Sequence, residues 1–277
     1  MQTDKRLRAP DGNSEPFQVT AGVTAIRETP EPNGRLATQA LQSEILDVHE
    51  ERGEFGHVQC RRDGYVGWAL MATMSAPVLE VTHKISALRT HVYSEPDLKS
   101  APHYVVSRGA GVVVCGQDGD YLRCERAGWV HKRHIKAVAD ARVDDPAAVA
   151  ETYVGTPYLW GGRESLGLDC TGLTQQAFEA AGILLPRDSD MQYNWCGTPI
   201  EDWSTPGALQ RNDMVFWKGH VGLMLDSVRM IHANAWHMAV AIEPLDEAIV
   251  RIKTHYAEPI GARRIDLSAW NRPPDWR

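Results

Sequence analysis

A cysteine stands at residue 170 in GLDCTGLTQQAFEAAG, and two histidines follow it in the chain, His220 in GHVGLML and His232 in MIHANA. Leu173, Ala177 and Ala180/Ala181 recur at three-to-four spacing, which predicts a helix from Cys170 with that stripe turned inward and Gly182 at its end. Cys170 then occupies the first turn, where unpaired backbone N–H groups and the positive end of the helix dipole favour thiolate over thiol. A sulfur nucleophile also needs a proton acceptor and a group that orients the acceptor, and two imidazoles on consecutive strands can supply both. The chemistry this order of residues could do is acyl transfer. It requires His220 and His232 to share one face of a sheet. An odd loop centred on Asp226 sets them directly opposite each other, whereas a two-residue turn sets them on opposite faces unless a bulge resets the register; the odd loop or the bulge is expected.

The elements that must hold these residues fall into two kinds. From about residue 17 to 138 the chain runs in short alternating segments, FQVTAGVTAI, EILDVHEE, FGHVQC, YVGWALM, HVYSE, YVVSRGAGVVVCG, YLRCE and GWVHKRHI, broken by Gly, Pro, Asp and Asn. That pattern predicts small β-barrels. The two halves of the region repeat each other loosely, which divides it into related barrels at 17–80 and 81–140. At 143–155, VDDPAAVAETYVG changes character; Asp145 as cap and Pro146 as first helical residue open a short helix, and a second domain is expected over 141–277. Beyond the Cys170 helix, MVFWK, HVGLML, RMIHANA, MAVAIEPL and VRIKTHY have strand-like spacing. Helices first and antiparallel strands after them make the class α+β. The tail AWNRPPDWR is expected to lie against the body.

Bulk properties remove several functions. A net charge of −7 over 277 residues and a pI near 5.9 argue against a nucleic-acid partner, which calls for clustered Lys and Arg. No window approaches the roughly 18 apolar residues of a membrane span, and MQTDKRLRAPDGNSEPF has no apolar run behind its basic residues, so a cytoplasmic protein without a membrane partner is expected. Five scattered cysteines, an odd number, suit free thiols in a reducing compartment better than a disulfide scaffold. Cys115, Cys124, His131 and His134 fall within twenty residues, but not as two close pairs, so neither a metal nor any other cofactor is expected. The nine tryptophans are read as packing residues more than as a sugar platform.

TPYLWGG, LDCTGL, GHVGLML and MIHANA, in that order, resemble the NlpC/P60 cell-wall peptidases over about residues 145–265. The resemblance implies a papain-like fold with Cys170 as nucleophile, His220 as general base and His232 as the group that orients it. It also places Tyr158 beside the nucleophile, to help the backbone N–H of Cys170 hold an oxyanion. TQALQSEILDVHEERGEFGHVQCRRDGYVGW resembles the first bacterial SH3-like domain of the subgroup that cuts γ-D-glutamyl-diamino acid bonds in murein peptides with a free N-terminal L-alanine. In that subgroup the barrel closes one end of the cleft and lends an acidic residue to the substrate ammonium. Glu44 takes the matching place, preceded by Ser43 where the subgroup more often has glycine. Asp169, Thr171 and Ser189 align with further contacts to the same end of the substrate, and Tyr65 with an aromatic wall. Asp169 is equally a favoured helix cap. The implied substrate is an L-Ala-γ-D-Glu-diamino acid peptide undergoing recycling. The competing readings are a cysteine amidase acting on the sugar-to-alanine bond and a non-catalytic wall-peptide binding protein.

Overall fold

The computed structural model describes residues 4–269. The segment 270–277, which holds nearly all of the tail AWNRPPDWR, lies outside them. The chain divides into two compact units, one of residues up to 142 together with 163–165, the other of 143–162 and the residues from 166 on.

The first unit consists of strands and short 3-10 turns. Residues 15–75 build a seven-stranded antiparallel sheet whose inward positions, among them Ile26, Leu46, Val58 and Ala69, are buried. It includes Leu36–Leu41, a strand with no counterpart among the alternating segments read from the sequence. Residues 83–137 build a five-stranded and a three-stranded sheet around Ile85, Val92, Val106, Val112 and Val130, and Leu41 joins this second core. At Gly22 the backbone passes so close to the next sheet that a Cβ would come within 2.3 Å of the Val105 carbonyl oxygen, so only glycine fits there.

The second unit sets helices against one antiparallel sheet. Its strand order is Thr198–Pro199, Pro259–Arg264, Met214–Trp217, His220–Met224, Arg229–Asn234 and Ala239–Pro244. Helix α1, Pro146–Glu151, begins at its proline as expected. Asp145 holds the N-cap position as expected, but its side chain makes no cap bond; its carboxylate takes a 2.8 Å bond from Arg211 instead. Helix α2, Cys170–Ala180, contacts α1 and the two strands that carry His220 and His232. Helix α3 is Ser189–Trp195.

VRIKTHY, expected as a strand, is the end of helix α4, Leu245–His255. Buried Leu245, Ala248 and Ile252 recur at helical spacing and join Val215, Trp217, Met224 and Met230 in one apolar cluster. Asp246 and Glu247 in the first turn and Lys253 and His255 in the last complement the helix dipole. Seven residues were too few to separate the two periods.

Candidate active site

Asp169 sets the entrance of α2. Its Oδ1 accepts the Gly172 N–H at 2.8 Å and the Thr171 hydroxyl at 3.0 Å, while Oδ2 accepts the Gly161 N–H at 2.8 Å. Arg187, almost wholly buried, closes the set with a two-pronged pair, Nη1 to Oδ1 at 3.0 Å and Nη2 to Oδ2 at 2.6 Å, and a further bond to the Thr171 hydroxyl. Five protein donors thus fill one carboxylate. Arg187 was not among the residues read from the sequence; a buried arginine in PRDSD is legible only once its partner is known to be buried too. The glycines of the two motifs have a packing reason: a Cβ on Gly172 would lie 2.2 Å from the Gly162 carbonyl oxygen, so the PYLWGG and DCTGL segments touch backbone to backbone.

Cys170 is the first residue of α2 and is buried. Burial, and after it the Asp169 carboxylate, push its thiol up to about 12, against backbone N–H bonds from Val221 and Thr171 and the charge of Arg187. The expected thiolate is therefore not the resting form; loss of water outweighs the helix N-terminus. Tyr158 lies within the electrostatic reach of this sulfur: burial, then the Cys170 and Asp169 charges, drive its hydroxyl well above its ordinary value, so it keeps its proton. Its segment is anchored by the Tyr158 N–H on the Met238 carbonyl at 2.9 Å.

The two histidines lie on one face, by a register that differs from the expected one. Leu223 pairs with Ile231 and Met224 with Met230, which centres the loop on Ser227. The loop is odd, as required, but one residue later than Asp226. Continued along the strands, this register sets His220 opposite Asn234 and His232 opposite Gly222, so the histidines are diagonal neighbours on a twisted pair. Their rings meet all the same, with His220 Nε2 2.8 Å from His232 Nδ1. Asp226 caps the turn, accepting the N–H groups of Val228 and Arg229.

Crowding by protein, and then His232, push His220 down to about 3; burial lowers His232 against the pull of Glu243. Both rings are neutral at pH 7. The sulfur and the imidazoles share a locality, since the N–H that reaches Cys170 belongs to Val221, the residue after His220. Glu243 was missed in the sequence. It faces the same way as Met230, its cross-strand partner, and hence as His232, with Oε1 2.6 Å from His232 Nε2.

The other expected residues take these places. Thr171 is buried in the Asp169–Arg187 cluster, and Ser189 is buried at the first position of α3, where Asp188 is the cap. In the first unit Glu44 is paired with Arg163, whose Nη1 lies 3.0 Å from Oε2, and Ser43 holds the left-handed φ of 66° that favours glycine. Tyr65 is buried in the same unit, its N–H on Asp63 Oδ1 at 3.2 Å. Cys115 is exposed with its sulfur on the Arg123 carbonyl, Cys124 is buried, and His134 bonds Thr90. Among the described residues no helix is long and apolar enough to cross a membrane.

Residues 155–258 match the model of the NlpC/P60 family, and residues 26–72 that of the bacterial dipeptidyl-peptidase SH3 domain. A gamma-D-glutamyl-L-lysine dipeptidyl-peptidase of Bacillus subtilis strain 168 is 33% identical over 244 residues, 77% of each chain. Dipeptidyl-peptidase 6 of Lysinibacillus sphaericus is 32% identical over 129 residues, which are 46% of this chain and 45% of that protein's length. The crystal structure of an NlpC/P60 family protein from Bacillus cereus ATCC 10987 superposes with a TM-score of 0.75 over 90% of this chain and 99% of that one, at 20% identity, and shows the same fold. The sheet with α2 at its histidine-bearing strands is thus a papain-like domain preceded by an SH3-like β region, and the chain belongs to the NlpC/P60 family, hydrolases of the cysteine-peptidase type.

Proposed function

We propose that the protein hydrolyses the γ-D-glutamyl-diamino acid bond of murein peptides whose N-terminal L-alanine is free, within peptidoglycan recycling in the cytoplasm, with domain limits at 17–80, 81–140 and 141–277. The observation that carries the catalytic part is the 2.8 Å bond between His220 Nε2 and His232 Nδ1 beside the strand whose Val221 N–H reaches Cys170. The bond choice is supported by the relatives named gamma-D-glutamyl-L-lysine dipeptidyl-peptidase.

Cys170 is the nucleophile. Its thiol proton passes to Nδ1 of His220, the nitrogen that His232 leaves unused, as the sulfur forms a bond to the γ-glutamyl carbonyl carbon. The Cys170 N–H and the Tyr158 hydroxyl, which keeps its proton, steady the oxyanion. The carbon–nitrogen bond then breaks, the amine leaves with the proton held by His220, and water hydrolyses the thioester. His232 orients His220 throughout.

Glu44, Asp169, Thr171, Ser189 and Tyr65 are the proposed substrate contacts. Both carboxylates already accept from a guanidinium on both oxygens, Asp169 from Arg187 and Glu44 from Arg163, but the Glu44 side chain is 16% exposed against 9% for Asp169, so recognition of the ammonium rests more on Glu44. The test is mass analysis of L-Ala-γ-D-Glu-L-Lys with a free and with an acetylated N-terminus, using wild type and Cys170→Ala. Cleavage after the glutamyl residue of the free-amine peptide alone, abolished in Cys170→Ala, is expected. Equal cleavage of the blocked peptide, or release of L-alanine from a sugar-linked peptide run alongside while the free-amine peptide stays intact, overturns the substrate reading.

A further inference from the structure

The hydrogen-bonded run that begins at His220 continues past His232. We propose that Glu243 is a positioning residue that fixes the tautomers of both imidazoles and so leaves Nδ1 of His220 as the bare nitrogen available to the Cys170 proton. This rests on the roles given above to Cys170 and His220.

The direction of every bond in the run follows from its far end. A carboxylate can only accept, so the 2.6 Å contact to Glu243 Oε1 places a proton on His232 Nε2. A neutral ring with its proton there offers a lone pair at Nδ1, so the 2.8 Å contact between the rings is donated by His220 Nε2. His220, neutral as well, is left with Nδ1 unprotonated. One carboxylate thereby dictates the state of an atom two rings away.

Arg251 of α4 completes the device. It bonds the same Glu243 oxygen, and its guanidinium carbon lies 5.4 Å from the centre of the exposed Trp236 ring. The arginine keeps Glu243 anionic, and an anion is what the run of donors requires. His237 also comes within 4.8 Å of the ligand atoms of His232 and Glu243. With both nitrogens of His232 already bonded and a guanidinium on the shared oxygen, this cluster is built to hold protons, not a cation.

Two measurements test the proposal. In long-range proton–nitrogen NMR of the wild-type protein at pH 7, with resonances assigned through His220→Gln and His232→Gln, both rings are expected to be protonated at Nε2 and bare at Nδ1. A proton on Nδ1 of either ring overturns the proposal. In Glu243→Gln, kcat is expected to fall roughly 10- to 10³-fold with KM within about twofold, and the ring tautomers to become mixed, by analogy with carboxylate-to-amide changes behind a catalytic histidine; Glu243→Asp, which keeps the charge, recovers part of the loss. Unchanged kcat in Glu243→Gln also overturns it. The NMR arm needs neither turnover nor a folded variant at 243. If Cys170→Ala retains activity, the catalytic reading fails; if Cys170→Ala is dead and the tautomers are wrong, only the role of Glu243 fails.

Discussion

Cys170 and His220, the proposed nucleophile and base, are each neutral at rest, and this is a statement about water more than about either residue. Burial pushes the thiol up to about 12 and the imidazole down to about 3, so at pH 7 neither carries its charge before substrate arrives. Proton transfer then belongs to the attack itself. A consequence can be read in the free enzyme. Of the five cysteines only Cys115 is exposed, and its thiol is raised only from its ordinary value, first by desolvation. Iodoacetamide at pH 7 should label Cys115 first, with Cys170 following at least about tenfold more slowly, because the thiolate is the reactive form. Peptide mass analysis over a time course reads the order. Labelling of Cys170 ahead of Cys115 would mean that His220 takes the proton at rest and that the ion pair, not the neutral pair, is the ground state.

Helix α2 begins where it does because one carboxylate collects the donors of three segments. The cost of disturbing Asp169 is correspondingly set by Arg187, whose buried guanidinium would lose its counter-charge. Asp169→Asn should destabilise the unit by roughly 3 kcal/mol, the scale found when one partner of a buried ion pair is removed, measured as a lower urea midpoint at unchanged slope. A change below about 1 kcal/mol would show that water already reaches Arg187. Much of this element level was legible in the sequence. The start of α2 at Cys170, its end at Gly182, the proline at the start of α1 and the odd loop that turns His220 and His232 to one face were all expected, whereas the inward stripe of α2 was not the whole of it, since Cys170–Phe178 is buried on every face, Thr174, Gln175 and Gln176 included. The subgroup's preference for glycine before Glu44 also gains a reason, since Ser43 holds a left-handed backbone. Three things were not legible. VRIKTHY is too short to show its period, the centre of the histidine loop depends on where Asp226 turns its side chain, and Arg187 and Glu243 are ordinary charged residues until tertiary packing gives them partners.

At the scale of the whole molecule, a site that keeps two histidines neutral inside protein makes folding depend on pH. The unfolded chain protonates each histidine near 6.5, whereas the folded chain holds His220 unprotonated down to about 3 and lowers His232 in the same direction. Below 6.5 the unfolded state therefore binds more protons, and stability that is complete above 6.5 is lost as the pH falls towards the folded value. Glu243 acts in the same sense at lower pH: its folded value is lowered beneath its usual 4.5, so its contribution is present above that value and disappears on further acidification. One pH unit is worth about 1.4 kcal/mol for each fully shifted group, so from pH 7 to 5 His220 alone should cost about 2 kcal/mol, and His232 adds to it. Because the chain has two units, a single melting temperature would blur the effect. Hydrogen exchange of the strands His220–Met224 and Arg229–Asn234, corrected for intrinsic rate, reads the opening free energy of the unit that holds the histidines. It should drop over this interval in wild type and drop less in His220→Asn, which has one fewer site to protonate on opening. An equal drop in the two proteins would show that His220 is already charged in the folded state, and the neutral relay from Glu243 to Cys170 would go with it.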